Sequence, residues 1–153
     1  MVNAVSDNST MIEDSISAVP GERGLIDPII AAIDIGTNSV HMVVVRIVPE
    51  LPAFSIIARE KETVRLGDRD LQTGNLTPEA IARAFGALKR CQEIARSLNA
   101  QQIIAVATSA VREAPNGHEF VRSIETELGL DVNLISGQEE ARRIYLGVLS
   151  GVE

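Results

Sequence analysis

Three apolar stretches open the patterned part of the chain. Ile29–Asp34 is a short run ending at Asp34-Ile35-Gly36. Val40–Val48 is apolar at odd and even positions alike, interrupted by His41 and Arg46. Such a run predicts a central strand covered on both faces, with His41 as a satisfied core residue. Phe54–Val64 begins apolar and turns charged, as expected of a strand running out toward a sheet edge. The five residues Ile35–Ser39 between the first two runs fit a hairpin loop.

The period then changes from two to nearly four. Thr77-Pro78-Glu79 is a helix start, with a capping hydroxyl, proline in the first turn and an acid favoured by the helix dipole. Ile81, Ala84, Phe85, Leu88 and Ala95 then line one face of a helix reaching about Ser97. Ile103–Ala107 reads as a buried strand and leads into Thr108-Ser109-Ala110-Val111-Arg112. Asn116 is placed to cap a second helix bearing Phe120, Val121, Ile124 and Leu128, with Gly129 as its stop. Val132–Ile135 is a short strand, and Gly137–Leu149 a third helix. The order β-β-β-α-β-α-β-α predicts an α/β domain: a five-stranded mixed sheet with helices on its faces. That order is similar to the ribonuclease H-like lobe of the actin-like ATPase superfamily, which includes sugar kinases and heat-shock chaperone ATPases. Residues 1–28 are polar and lack periodicity, and are expected to form a disordered extension before a folded unit over 29–153.

Charge and composition narrow the function classes. The chain of 153 residues carries a net charge of −7, which disfavours broad nucleic-acid binding. Residues 1–28 hold five acids and one base, so the folded part is only mildly acidic. A polyanionic substrate would therefore need a local cluster of cations. Aromatic residues make up 3%, too few for base stacking. No apolar run reaches the roughly 18–20 residues that span a bilayer, and no secretory signal pattern opens the chain. A lone cysteine, Cys91, lies on an apolar helix face and fits a packing role in a reducing cytoplasm.

Two segments about a hundred residues apart carry the candidate chemistry. In Asp34-Ile-Gly-Thr-Asn-Ser39, Gly36 lets backbone amides come close to a phosphate, and Thr37, Asn38 and Ser39 add polar donors. Asp34 can hold Mg²⁺ directly or through water. A plain hairpin turn is the competing reading. In Ser136-Gly-Gln-Glu-Glu-Ala-Arg142, Ser136 and Glu139 have the spacing of a capping box, and Glu139 precedes Arg143 by one turn. Helix architecture thus accounts for Glu139 and leaves Glu140 unassigned. Glu140 lies beside an apolar face of Ala141, Ile144, Tyr145 and Val148, where partial burial would favour a general base. A solvated surface acid is the alternative. Arg112, beyond the carboxyl end of a buried strand, is placed to contact phosphate oxygens or to pair with Glu113, and Arg65 is a weaker candidate of the same kind.

Ala32-Ile-Asp-Ile-Gly-Thr-Asn-Ser-Val-His-Met42, Ala107-Thr-Ser-Ala-Val-Arg-Glu-Ala114 and Ile135-Ser-Gly-Gln-Glu-Glu-Ala-Arg142 together resemble the exopolyphosphatase / guanosine pentaphosphate (pppGpp) phosphohydrolase family. The resemblance covers about Ile29 to Val152. It implies release of terminal orthophosphate from inorganic polyphosphate or of the 5′-γ-phosphate from pppGpp, with Mg²⁺ and a water-activating glutamate. By position that glutamate is Glu140, which with Asp34 would hold the metal. The family's phosphate loop falls on Gly36, Thr37, Asn38 and Ser39, and its phosphate-contacting arginine on Arg112. The resemblance further implies a cytoplasmic enzyme, a homodimer when full length, with neither nucleic acid nor membrane as partner. Family members continue into a second glycine-rich phosphate loop and a second lobe, whereas this sequence stops at Glu153. A single lobe with little activity of its own is therefore expected, the missing C-terminal lobe being its natural partner. Two other readings stand beside this one: a non-catalytic phosphate-binding or interaction module, and a lobe of an actin-like ATPase or sugar kinase.

Overall fold

A computed structural model describes residues 27–48 and 53–150. Most of the expected extension over residues 1–28 lies outside the described residues. Five strands, β1 (Ile29–Ile35), β2 (Ser39–Val48), β3 (Ala53–Thr63), β4 (Gln102–Ala107) and β5 (Val132–Leu134), form one sheet in the order β3-β2-β1-β4-β5. The β1–β2 and β2–β3 pairs are antiparallel, and β1–β4 and β4–β5 are parallel. The helices are α1 (Pro78–Ser97), α2 (Ser109–Glu113), α3 (Gly117–Leu128) and α4 (Gly137–Ser150). This is the ribonuclease H-like lobe that the element order implied, with the short α2 as an addition.

Alternation along the strands decides which face is covered. Ile29, Ala31, Ile33 and Ile35 of β1 are buried, while Ala32 and Asp34 point the other way. Register carries the same parity across the sheet: Ile33 lies between Met42 and Ala105, and Ile35 between Val40 and Ala107. All of these are buried, and full burial of a side chain such as Ile33 contributes about 1.5–3 kcal/mol. Ala80, Ala84, Ala87, Leu88, Cys91 and Ala95 give α1 its buried stripe in the same core cluster. Ile124 and Phe120 do so for α3, and the Phe120 ring meets Phe85 edge-on with centroids 6.0 Å apart.

Two expectations about the strands need correction. The run Val40–Val48 is not covered on both faces: Val40, Met42 and Val44 are buried but His41 is exposed. Likewise Ile104 in β4 is 38% exposed. One sheet face forms the core, and the other carries a mixed apolar and polar surface on which Asp34, its cross-strand partner His41 and its β4 neighbour Val106 lie side by side.

Helix ends follow their chemistry with one exception. The Thr77 hydroxyl accepts from Ala80 N–H at 3.2 Å, and Gly129 ends α3 in a left-handed conformation at φ 61°. Asn116 occupies the cap position of α3, yet its side chain makes no capping bond. Instead the amide grips both backbone groups of Leu76, accepting from its N–H at 2.8 Å and donating to its carbonyl at 3.1 Å. That contact pins the long excursion between β3 and α1 against the α2–α3 junction. A second side chain links the helices, since buried Gln92 donates to the carbonyl of Leu128 at 2.9 Å.

Candidate active site

Four loops converge beyond the ends of β1, β4 and β5. The β1–β2 hairpin is tighter than expected, its loop being only Gly36–Asn38. Gly36 N–H donates to Ser39 O at 3.0 Å, and a Cβ at residue 36 would sit 3.1 Å from that same carbonyl. Glycine thus relieves a tight approach where the turn closes. The excursion after β3 buttresses the loop from beneath. Val64 and Arg65 N–H groups both donate to Asn38 O, and Gly67 N–H donates to Thr37 O, each at 2.9 Å. The carbonyls of Thr37, Asn38 and Ser39 are therefore all occupied from inside. Among the described residues the Thr37 and Asn38 amides donate to no backbone acceptor. A loop with its carbonyls consumed and its amides spare suits an anion.

Asp34 stands at the end of β1 on the uncovered face. Burial by neighbouring protein pushes its carboxyl above the ordinary range, nearby His41 opposes this, and the negative charge of Glu140 adds to it. Two acids from segments a hundred residues apart thus share one electrostatic environment. A cavity of about 410 Å³ opens here, with Asp34, His41 and Arg143 on its polar side and Val43, Ile104 and Val106 among its apolar walls.

The second segment folds as a capped helix. Ser136 Oγ accepts from Glu139 N–H at 3.1 Å. The Glu139 carboxylate turns along the helix to Arg143 Nε at 2.8 Å and Arg142 Nη1 at 3.3 Å. Hydrogen bonding to Arg143 holds its pKa below the usual carboxylate range. Glu139 is thereby committed to the helix. Glu140 instead approaches Arg112, whose Nη1 lies 3.5 Å from Glu140 Oε2 and donates to Ile135 O at 2.8 Å. Glu113, the alternative partner weighed for Arg112, pairs with Arg69 at 3.3 Å. The apolar face beside Glu140 is open to solvent, with Ala141 exposed and Ile144 and Tyr145 63% and 62% exposed.

Arg65 is placed differently from the expectation. Its backbone, at φ 54°, supports the hairpin through Asn38, but its guanidinium pairs with Asp68 at 2.9 Å. Ser39 is a buried member of β2, so its side chain lies beneath the loop's outer surface. Asp34, Gly36, Thr37, Asn38, Arg112 and Glu140 are the predicted residues that the fold assembles around the mouth. Sequence reading missed His41 and Ser109. His41 pairs in register with Asp34, and Ser109 Oγ lies 3.0 Å from Thr37 Oγ1. The signal for His41 was its parity with Asp34 across a short hairpin, hidden by the continuous apolar run around it.

A divalent cation fits this donor set. Mg²⁺ is commonly held by one or two carboxylates and completes its octahedron with water and substrate phosphate. The negative charge of Glu140 adds to the cost of ionising Asp34, which a cation held there would relieve. No three of the His, Cys, Asp and Glu side chains among the described residues converge into an all-protein cage.

The model of the Ppx/GppA phosphatase family matches residues 43–153. The fold is similar to the Ppx/GppA family member from Aquifex aeolicus, at 32% identity and TM-score 0.73, over 79% of this chain and 39% of that one. It is also similar to an exopolyphosphatase from Cytophaga hutchinsonii, at 34% identity and TM-score 0.69, over 74% of this chain and 36% of that one. The chain thus spans under two fifths of these relatives' length. A family model covering most of the sequence, on a fold whose loops bring an acidic pair, an arginine and an anion-ready hairpin together, places the chain in the Ppx/GppA phosphatase family.

Proposed function

We propose that this chain is the N-terminal lobe of a phosphohydrolase that releases terminal orthophosphate from inorganic polyphosphate, from pppGpp, or from both. The observation that carries the reading is the Arg112–Glu140 contact beside the hairpin, with Asp34 close enough to feel the charge of Glu140. In this reading the spare amides of Thr37 and Asn38 and the Arg112 guanidinium take phosphoryl oxygens and spread their charge. Glu140 orients a water in line with the terminal phosphorus and accepts its proton as the P–O bond forms and the bridging oxygen departs. Asp34 and Glu140 would hold Mg²⁺, which supplies positive charge to the phosphoryl oxygens when bound.

Partner and compartment follow from the same reading. Ile144, Tyr145 and Leu146 of α4 are exposed apolar residues next to the uncovered sheet face, which supports docking of a second lobe of the same protein. Among the described residues no helix is long and apolar enough to cross a membrane. Cys91 is buried, and burial pushes its thiol up to about 11, as suits an inert packing residue in a cytoplasmic protein. The full-length protein is proposed to be a homodimer.

The test is orthophosphate release from polyphosphate and from pppGpp with Mg²⁺. It is run on this chain alone and on the chain joined to the continuing segment of a relative. Turnover in the joined protein, reduced at least ~100-fold by Glu140→Gln, is the expected result for a general base. Unchanged turnover removes Glu140 from the mechanism.

A further inference from the structure

The contact between Thr37 Oγ1 and Ser109 Oγ, at 3.0 Å, joins two loops that are 72 residues apart in sequence. It lies on the exposed side of the hairpin, at the mouth where the Thr37 and Asn38 amides are spare. Its backbone setting is fixed. Thr108 is buried, its N–H donates to Ile35 O at 3.3 Å, and its carbonyl accepts from Arg112 N–H at 2.9 Å. Ser109 is therefore held between the end of β1 and Arg112.

Each hydroxyl has one proton. When one of the two donates to the other, the acceptor's own proton is left to point elsewhere. The pair thus retains one O–H proton that its own hydrogen bond does not use, on the exposed side of the hairpin. A ligand made only of acceptor oxygens, such as a phosphoryl group, can take that proton without breaking the Thr37–Ser109 bond. We infer that Ser109, paired with Thr37, is an additional phosphate-contacting residue of this site, completing a donor row with the hairpin amides and Arg112. This rests on the phosphohydrolase reading and deepens it. A simple structural tie between loops is the competing role.

Amide-resolved NMR titration of the 153-residue chain with inorganic tripolyphosphate separates the two. Wild-type shifts at Thr37, Asn38 and Arg112 define the site. Ser109→Ala is expected to weaken Kd about tenfold, the lower range for a hydrogen bond to a charged group. Ser109→Thr keeps the hydroxyl and retains affinity, and Thr37→Val, of similar shape, leaves the Ser109 proton available to the ligand. A Ser109→Ala chain with lower thermal stability but unchanged Kd would overturn the inference and leave a tie. Binding that disappears in Arg112→Met yet ignores Ser109→Ala sinks this inference alone. Absence of any saturable shift at the wild-type hairpin sinks the phosphate site together with it.

Discussion

Asn116 offers a sharp test of how the site is supported, because two roles for it predict opposite tolerances. As a helix cap it could be replaced by Asp or Ser at a cost of a few tenths of a kcal/mol. As an amide clamp on Leu76 it needs a donor and an acceptor on one planar group. Leu76 is 2% exposed and both bonds are partly buried. Asn116→Asp keeps the acceptor, loses the donor, and sets a carboxylate oxygen against the Leu76 carbonyl. Asn116→Ser is too short to reach either group. A partly buried backbone group left unmatched costs about 1–3 kcal/mol, so Asp should cost about 2–3 and Ser about 2–4 kcal/mol. For a folded unit of this size each kcal/mol is worth about 3–5 °C in Tm. The chain has no Trp and a single Tyr, so circular dichroism at the helix band is the practical readout of urea and thermal unfolding. If both variants unfold within about 0.5 kcal/mol of wild type, the clamp is not what holds the excursion in place.

Other expectations test the loops and the acids. A Cβ on Gly67 would lie 2.7 Å from Thr37 Cγ2, so Gly67→Ala should destabilise by about 1–3 kcal/mol, and adding Thr37→Ser, which deletes that methyl, should recover most of it in urea denaturation. Asp34 has a folded pKa above its unfolded one, so the folded state binds its proton more tightly than the unfolded chain does. Its unfavourable contribution is absent below the unfolded pKa, grows as pH rises toward the folded pKa, and is constant above it. In metal-free buffer, Asp34→Asn should therefore be more stable than wild type at pH 7, with the advantage shrinking as pH falls toward 4. An advantage that does not change with pH contradicts the sign. Glu139→Gln should lower helix stability while leaving tripolyphosphate affinity unchanged, since its partners are Arg142 and Arg143 on its own helix. A loss of affinity in that variant would reassign the pair of glutamates.

Elements with one strong period were legible in the sequence. The Thr77 start of α1, the Gly129 stop of α3 and the division between Glu139 and Glu140 rest on chemistry within a single turn of helix. The run around His41 was not legible in the same way. Five valines and a methionine between residues 40 and 48 obscure the alternation, and only the tight hairpin shows that residues 34 and 41 share a face. Asn116 was read as a cap because capping residues are recognised locally, whereas its partner Leu76 is 40 residues away. The placement of Arg65 was hidden for a related reason. Its left-handed backbone and the nearby Asp68 turn the guanidinium aside, although its N–H supports the very loop it was expected to serve. Ser109 stood in the quoted Ala107–Ala114 motif, but its contact with Thr37 became visible only in the fold.

Arg112 connects these observations in a way that bears on how this family can be dissected. The same guanidinium that faces Glu140 also fastens the chain where it leaves β5, through the Ile135 carbonyl. An anion taken by Nη1 would compete for the hydrogen bond that anchors the root of α4, whereas one taken by the other guanidinium N–H groups would not. Alanine at 112 removes that anchor and the positive charge together. A lysine there retains the charge with less capacity to span two acceptors, so comparing the two replacements resolves anchoring from attraction.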